Sequence, residues 1–504
     1  MDKLKELVSF LDKSRLRRID VIGNQPAKKG RSEAFYQALT ENQFDSDKDA
    51  AEHFFGKGAN ESDRRYKELK ERLYSKLLNT VFFIDETRLN FNKYQKTYYE
   101  LVRDVTAANI LMRRLYYKNA TYLLKKSLRK ANNFDLLDLQ YQILQLLKRY
   151  HSNVTFNRKK YTHYEQQLIN TKDKLEAEYL AEKYFTLARM AYVEDRTNFK
   201  KHYEITSKYY HDLEPYLDKY DILNLHIYAR VIKVMMHTSN RELEELIKTS
   251  DDSIRYLEGK KYANPNQINY FLKEKAIACL QLGKYEEGIR AVEKTIKKNS
   301  YNATWLNSLY LLSLLHFHLA NYEEVYKNTL AVKKSKSLPM VSEESREPWI
   351  LVEAYLQFLI EAGILNKPKR KSLKVSKFIN EVPTFSKGKR STNVPILVLQ
   401  ILFSILRKEQ NTFVERLAAI QRYNNRYLLK DNTYRSNCFI KMLVCVGEAS
   451  FNRIATERRA KKFKKRLAES PLLEVKQNYE TEYLPYEKLW EIVLNLLDDS
   501  RYYR

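Results

Sequence analysis

Turn-forming residues are scarce in this chain, which has only ten glycines and ten prolines among its 504 residues. Average usage of these two residue types together is about 12%. Because β-strands are joined by turns that rely on glycine and proline, we do not expect a β-rich fold of this length. Hydrophobic residues make up 44% of the chain, enough for an extensive core. The sequence therefore predicts an all-α protein whose helices are joined by short polar loops.

Two segments of the chain carry the same pattern. Tyr285-Glu286-Glu287 in the first copy is matched 37 residues later by Tyr322-Glu323-Glu324. The pattern resembles the tetratricopeptide repeat (TPR), whose period is about 34 residues. The resemblance covers residues 268–335 and implies a right-handed solenoid of helical hairpins. The residues to which it gives a repeat-packing role are Ala276, Gly283, Tyr285, Gly288 and Tyr322.

Small residues carry most of that resemblance. In the TPR family a small residue on the first helix packs against a small residue early in the second, which implies contact between Ala276 and Gly288. Gly283 matches the turn between the two helices. The second copy departs from the pattern, because Val325 stands at its second small position, and both copies lack the closing proline.

The length of the chain predicts more than one domain, since a single core stops growing at about 250–300 residues. We expect short helices near 2–13, 32–41 and 46–55 and a longer one at 63–84, with Ser46 and Asp49 forming a capping box. The predicted domains are an N-terminal helical head at 1–90, a TPR-like α-solenoid at 95–365, a basic linker or insertion at 366–392, and a C-terminal helical group at 393–504.

Positive charge is concentrated in three segments. The formal net charge is +27, and residues 1–31, 366–392 and 452–466 supply +5, +8 and +7 of it. Clustered cations are typical of proteins that contact a polyanion, so nucleic acid is an expected partner. The alternative is a solvated helix face together with exposed basic loops. The candidate polyanion-binding residues are Arg15, Arg17, Arg18, Lys28, Lys29, Arg31, Arg64, Arg65, Lys369, Arg370, Lys371, Lys374, Arg458, Arg459, Lys461, Lys462, Lys464 and Lys465.

We find no sequence motif for catalysis, for a metal or for a cofactor. Cys438 and Cys445 are two turns apart on an apolar helix, a spacing that predicts small core residues rather than zinc ligands. Three cysteines and a charged N-terminus predict a reducing, cytoplasmic location. The longest apolar run, 396–406, is too short to span a bilayer, so no membrane association is expected.

The leading hypothesis is a non-enzymatic scaffold or adaptor that binds a protein partner in the solenoid groove, within a nucleic-acid-containing assembly. The alternative is a DNA-binding transcriptional regulator. In that case residues 1–90 would form a helix-turn-helix-like head and the TPR-like part a sensor, an outline shared with bacterial regulators. A third possibility is an enzyme whose site follows no known motif. The oligomeric state stays open.

Overall fold

The computed structural model describes residues 30–81, 92–195, 198–260, 262–296, 303–335, 343–366, 390–423, 434–469 and 482–498, together with Leu4 and Val341. These ranges contain twenty α-helices and no β-strand, which confirms the all-α prediction. None of the helices in them has both the length and the apolar character of a bilayer-spanning segment. The chain divides into two compact units, Met1–Glu176 and Ala177–Arg504.

The first unit has two apolar clusters. One joins the first three helices around Phe35 and Tyr66, and the other is built around Leu101, Leu124 and Ile143. The predicted helices at 32–41, 46–55 and 63–84 correspond to the first three helices, whereas the one at 2–13 lies outside the described ranges. The helices are α1 (Arg31–Thr40), α2 (Asp47–Phe55), α3 (Arg64–Val81), α4 (Lys93–Arg113), α5 (Tyr117–Asn133), α6 (Leu137–Asn153) and the start of α7 (Arg158–Glu194), which ends in the second unit.

Polar contacts fix the position of α2 on α3. The predicted capping box is confirmed: the Asp49 amide donates to Ser46 Oγ at 3.2 Å, and the Ser46 amide donates to Asp49 Oδ2 at 3.1 Å. At the first residue of α2, Asp47 Oδ1 accepts from the Tyr66 hydroxyl at 2.6 Å and from Lys70 Nζ at 2.7 Å. Burial opposes the ionisation of Asp47, but these donors outweigh it and lower the pKa of the carboxyl to about 2.

We predict that Asp47→Asn lowers the free energy of unfolding of the first unit by about 2 kcal/mol at neutral pH, because the pKa of Asp47 is depressed in the folded state. A depressed carboxyl pKa stabilises the fold above the unfolded pKa of about 4, and this stabilisation is lost as the pH falls toward about 2. Urea unfolding of the full chain across this pH range measures the difference in unfolding free energy between Asp47→Asn and wild type. Asp45→Asn, at an exposed position, is the matched control. A difference between Asp47→Asn and wild type that persists at the acid end would contradict the prediction.

The second unit holds the remaining helices, and its C-terminal helices share one core with the helical pairs before them. That core runs continuously from Leu223 to Leu497. The helices are α8 (Phe199–Lys219), α9 (Leu223–Asn240), α10 (Leu243–Glu258), α11 (Pro265–Leu282), α12 (Tyr285–Glu293), α13 (Ala303–His318), α14 (Tyr322–Lys334), α15 (Glu343–Glu361), α16 (Arg390–Arg407), α17 (Gln410–Tyr423), α18 (Tyr434–Glu448), α19 (Arg453–Ala468) and α20 (Tyr486–Leu497).

Helices that are consecutive in the chain pack against each other as neighbours from α8 to α20. In addition, α11 contacts α13, and α13 contacts α15, so the first helices of successive hairpins lie side by side. This arrangement of adjacent pairs is compatible with a helical repeat.

The two copies of the repeat motif end their first helices in the same way. Gly283, which follows α11, has φ +73°, and Ala320, 37 residues later, has φ +58°. At Gly288 on α12, a Cβ atom would lie 2.9 Å from Leu315 Cδ2 and 3.2 Å from Cys279 Cβ. Cys279 is the α11 residue nearest to that position, and Ala276, three residues earlier on α11, is fully buried in the core.

We predict opposite effects from two substitutions at these turns. Gly283→Ala should destabilise the second unit by about 1 kcal/mol, because a side chain strains the left-handed conformation although space for it exists. Ala320→Gly should stabilise it by about 0.5–1 kcal/mol, because it relieves the same strain. Thermal unfolding of both variants against wild type checks the pair, and a shift of both variants in the same direction would contradict the shared geometry.

Candidate functional site

A groove with a volume of about 650 Å³ lies within the second unit. Its walls are formed by α9, α11 and α13, the first helices of successive pairs, with contributions from α8 and from the end of α7. Arg435 and Ser436 at the start of α18, with Glu482 and Tyr486, close one end. We call this cavity the unit 2 groove.

Two equivalent rows of side chains line the unit 2 groove. On each helix the spacing of the row is four, three and four residues, which places all its members on one helix face. Every residue on α13 follows its counterpart on α11 by 37 residues, the offset between the two repeat copies. The rows are Tyr270, Glu274, Ile277 and Gln281 on α11, and Asn307, Leu311, Leu314 and His318 on α13.

Glu274 is the charged member of these rows. It makes no hydrogen bond and no ion pair within the described ranges. Burial raises the pKa of its carboxyl, and the neighbouring Lys273 ammonium opposes this shift only in part. Burial likewise raises the pKa of Tyr270, one turn earlier, well above its ordinary value. A carboxylate that is partly removed from water without a donor is unfavourable for the fold, a feature that functional sites often share.

A buried ion-pair cluster holds the closed end of the groove. Arg435, whose side chain is only 6% exposed, donates to both carboxylate oxygens of Glu482 at 3.0 Å and to Glu487 at 2.8 Å. It also donates to the carbonyl of Leu467 at 3.1 Å. Burial disfavours the charge of Arg435, yet the two carboxylates raise the pKa of this guanidinium above its ordinary value.

The segment that begins at Glu482 is fixed to the repeat helices as well. His318 Nε2 donates to the Glu482 carbonyl at 2.7 Å, which leaves Nδ1 as an acceptor. That atom is buried and has no hydrogen-bond partner among the residues that the structure describes. Burial lowers the pKa of His318, so the ring is neutral at pH 7. The Tyr310 hydroxyl donates to the Tyr483 hydroxyl at 3.0 Å, and the Tyr483 ring stacks on Tyr355 with centroids 5.0 Å apart. These contacts fix the segment as the end wall of the groove.

The second candidate surface is α19, in the last basic segment. Its buried side is formed by Thr456, Ala460 and Leu467. With 100° per residue, four cations point to the opposite side of the helix. All four are exposed, and Lys465 contacts Glu469 at 3.7 Å. We call them the α19 basic face: Arg458, Lys461, Lys462 and Lys465.

The other two α19 candidates lie beside this face. Arg459 contacts Glu448 at 3.7 Å, and Lys464 is exposed.

The remaining candidate cations are less available or lie outside the described ranges. In the N-terminal head, Arg64 pairs with Glu68 at 3.0 Å and Arg65 with Asp63 at 2.8 Å. The guanidinium groups of Arg31 and Arg65 also lie over the Phe55 ring, at 5.5 and 5.1 Å from its centroid. The candidates outside the described ranges are Arg15, Arg17, Arg18, Lys28, Lys29, Lys369, Arg370, Lys371 and Lys374.

The cysteines are core residues, as their helical spacing predicted. Cys438 and Cys445 are buried and free, and so is Cys279, the neighbour of Gly288. Burial raises the pKa of the Cys279 thiol to about 11, which disfavours the reactive thiolate. Among the described residues, no group of three or more His, Cys, Asp or Glu side chains could hold a metal ion.

The sequence hypotheses did not include Glu274 or Arg435. The sequence did contain a signal for Glu274. This residue occupies a position at which the second repeat copy, 37 residues later, has the apolar Leu311. Arg435 and Glu482 are 47 residues apart, and no local pattern pairs them. No family model matches the chain, and comparisons with curated proteins and with solved structures return no match.

Proposed function

We propose that this chain is a non-enzymatic helical-repeat scaffold that binds a protein partner in the unit 2 groove. The observation that carries the proposal is the groove itself, which is lined by matched rows from α11 and α13 and contains Glu274, a carboxylate without a hydrogen-bond donor in the described part of the chain. The mixture of apolar and polar side chains in these rows suits a polypeptide ligand. Helices whose other faces are buried in one core hold the rows in place, so little ordering is needed on binding.

The proposal includes a nucleic-acid-containing assembly as the setting. The α19 basic face supports it, because four exposed cations on one side of a helix can follow a phosphate backbone without reading the base sequence. Its opposite side is buried, so these cations point outward.

The alternative, a DNA-binding regulator that reads DNA with residues 1–90, has weaker support. Arg64 and Arg65, the candidate cations at the start of α3, are engaged by Glu68 and Asp63. These carboxylates offset part of the positive charge that would attract DNA at this end of α3.

Partner capture from native lysate tests the groove. We expect Asn307→Trp to reduce the recovered partner at least tenfold, because Asn307 is exposed and lines the groove, so a bulky ring there fills it. Thr304→Trp, at an exposed position of α13 outside the groove, should recover as much partner as wild type. Quantitative mass spectrometry of the captured proteins, with and without nuclease, measures both variants. Equal recovery by Asn307→Trp and Thr304→Trp would overturn the groove proposal, and loss of all partners with nuclease would favour nucleic acid as the bridge.

Charge reversal of the α19 basic face tests its binding to a polyanion. We expect substitution of Arg458, Lys461, Lys462 and Lys465 by Glu to weaken binding of duplex DNA or RNA. The slope of log affinity against log salt should become shallower by about one for each phosphate group that the variant no longer binds. Fluorescence anisotropy at several salt concentrations measures this slope.

A matched control distinguishes phosphate contacts made by α19 from the effect of the lower net charge of the variant. Reversal of four exposed cations on α5, Lys118, Lys125, Lys126 and Arg129, changes the net charge by the same amount. It should leave the salt slope closer to that of wild type. Equal slopes in the two quadruple variants would show that α19 provides no specific phosphate contacts.

A further inference from the structure

Glu274 is placed as a recognition group rather than as a structural one. It stands between Tyr270 and Ile277 in the α11 row that faces the groove. The next residue, Lys275, is fully engaged elsewhere, with Asp251 at 2.8 Å and Glu287 at 2.7 Å. The fold thus pairs the Lys275 ammonium with two other carboxylates. The other neighbour, Lys273, also lines the groove and lowers the pKa of Glu274 in part, but within the described ranges no group donates a hydrogen bond to the Glu274 carboxylate.

A second acceptor in the same groove also lacks a donor. His318 Nδ1 is buried and unpartnered because Nε2 donates to the Glu482 carbonyl. Buried acceptors normally find a donor. The buried His318 Nδ1 atom and the half-buried Glu274 carboxylate, in one groove, therefore indicate a ligand that brings N–H groups. The ligand chemistry that fits a carboxylate best is a cation with several donors, an ammonium or a guanidinium.

The size of the lined surface favours a polypeptide as the carrier of that cation. The α11 row spans eleven residue steps from Tyr270 to Gln281, or about 16 Å at 1.5 Å per residue. An extended peptide covers that distance with about five residues. Ile277, Leu311 and Leu314 lie in the rows beside Glu274 and would contact apolar side chains that flank the cation.

We propose that Glu274 is the recognition carboxylate for a basic side chain, lysine or arginine, of a polypeptide bound in the unit 2 groove, flanked there by apolar residues. This inference rests on the proposed function, because it names the chemistry of the partner at the same groove. The cost of leaving Glu274 without a donor in the free protein is a feature of a site prepared for its ligand.

The probes are three tetrapeptides that differ at one position: acetyl-Leu-Lys-Leu-Leu-amide, its arginine analogue and its glutamine analogue. Isothermal titration into the full chain should give at least tenfold tighter binding of the two cationic peptides. The Glu274→Gln variant should bind all three peptides equally. Glu286→Gln, an exposed carboxylate on α12 outside the groove, should keep the tenfold preference.

Measurements of thermal stability distinguish a loss of peptide binding from a loss of the folded structure. Glu274→Gln removes an unpaired carboxylate, so its melting temperature should equal or exceed that of wild type. A second variant, Asn307→Lys, places an ammonium in the groove, and it too should abolish the preference for cationic peptides.

Three outcomes overturn the inference. The first is equal affinity of wild type for the glutamine and lysine peptides, and the second is an unchanged preference in Glu274→Gln. The third is binding of butylammonium or ethylguanidinium as tight as that of the peptides, which would make the ligand a small cation. If the peptides bind without regard to charge and Asn307→Trp blocks them, the groove function stands while the Glu274 assignment fails. If no peptide binds and Asn307→Trp leaves partner capture unchanged, the proposed function fails as well.

Discussion

Contact between neighbouring helix pairs is the interaction on which the second unit depends. α13 shows this most clearly, because buried residues such as Trp305, Leu306 and Leu315 lie on several sides of it. Apolar helix faces are stable only when partners cover them, and α11, α12, α14 and α15 pack around the sides of α13 that do not line the groove. A single hairpin could not bury these faces, so each pair depends on the next. The same packing fixes the position of the groove walls, because α11 and α13 contact neighbouring helices on the sides that do not line the groove.

Features encoded by neighbouring residues were predictable from the sequence. The capping box of α2 needs only Ser46 and Asp49, three residues apart, and the turn after α11 needs only a glycine at position 283. The all-α class followed from composition. Ala320 shows the limit of such local arguments, because it adopts the same left-handed conformation without being glycine and so gives no residue signal for the turn.

Features that depend on distant pairs were not predictable from one sequence. The Arg435–Glu482 pair joins residues on either side of α19, and only the packed core brings them together. Its stability follows from geometry, because two carboxylates and a carbonyl meet the donors of a nearly buried guanidinium. Removal of one partner from such a cluster typically costs about 3–5 kcal/mol. The helical spacing of the row that contains Glu274 was visible in the sequence. That no described residue donates a hydrogen bond to Glu274 depends on all the groove residues, and neighbouring residues in the sequence do not predict it.

The net charge of the chain, +27, repels cations and so opposes the binding of a basic ligand. The distance over which each effect acts determines whether this repulsion or the attraction between Glu274 and the cation is larger. Exposed charges further away than about 8 Å are largely screened at physiological salt. A partly desolvated carboxylate in contact with a cation, by contrast, interacts at an effective dielectric constant near 20, which corresponds to about 4 kcal/mol at 4 Å before desolvation is subtracted. On the proposed assignment, net charge would govern the rate of approach and the long-range attraction to polyanions, while Glu274 would govern which side chain binds in the groove. The two proposed ligands therefore differ in charge without conflict, since the phosphates would lie at the α19 basic face and the basic side chain in the groove.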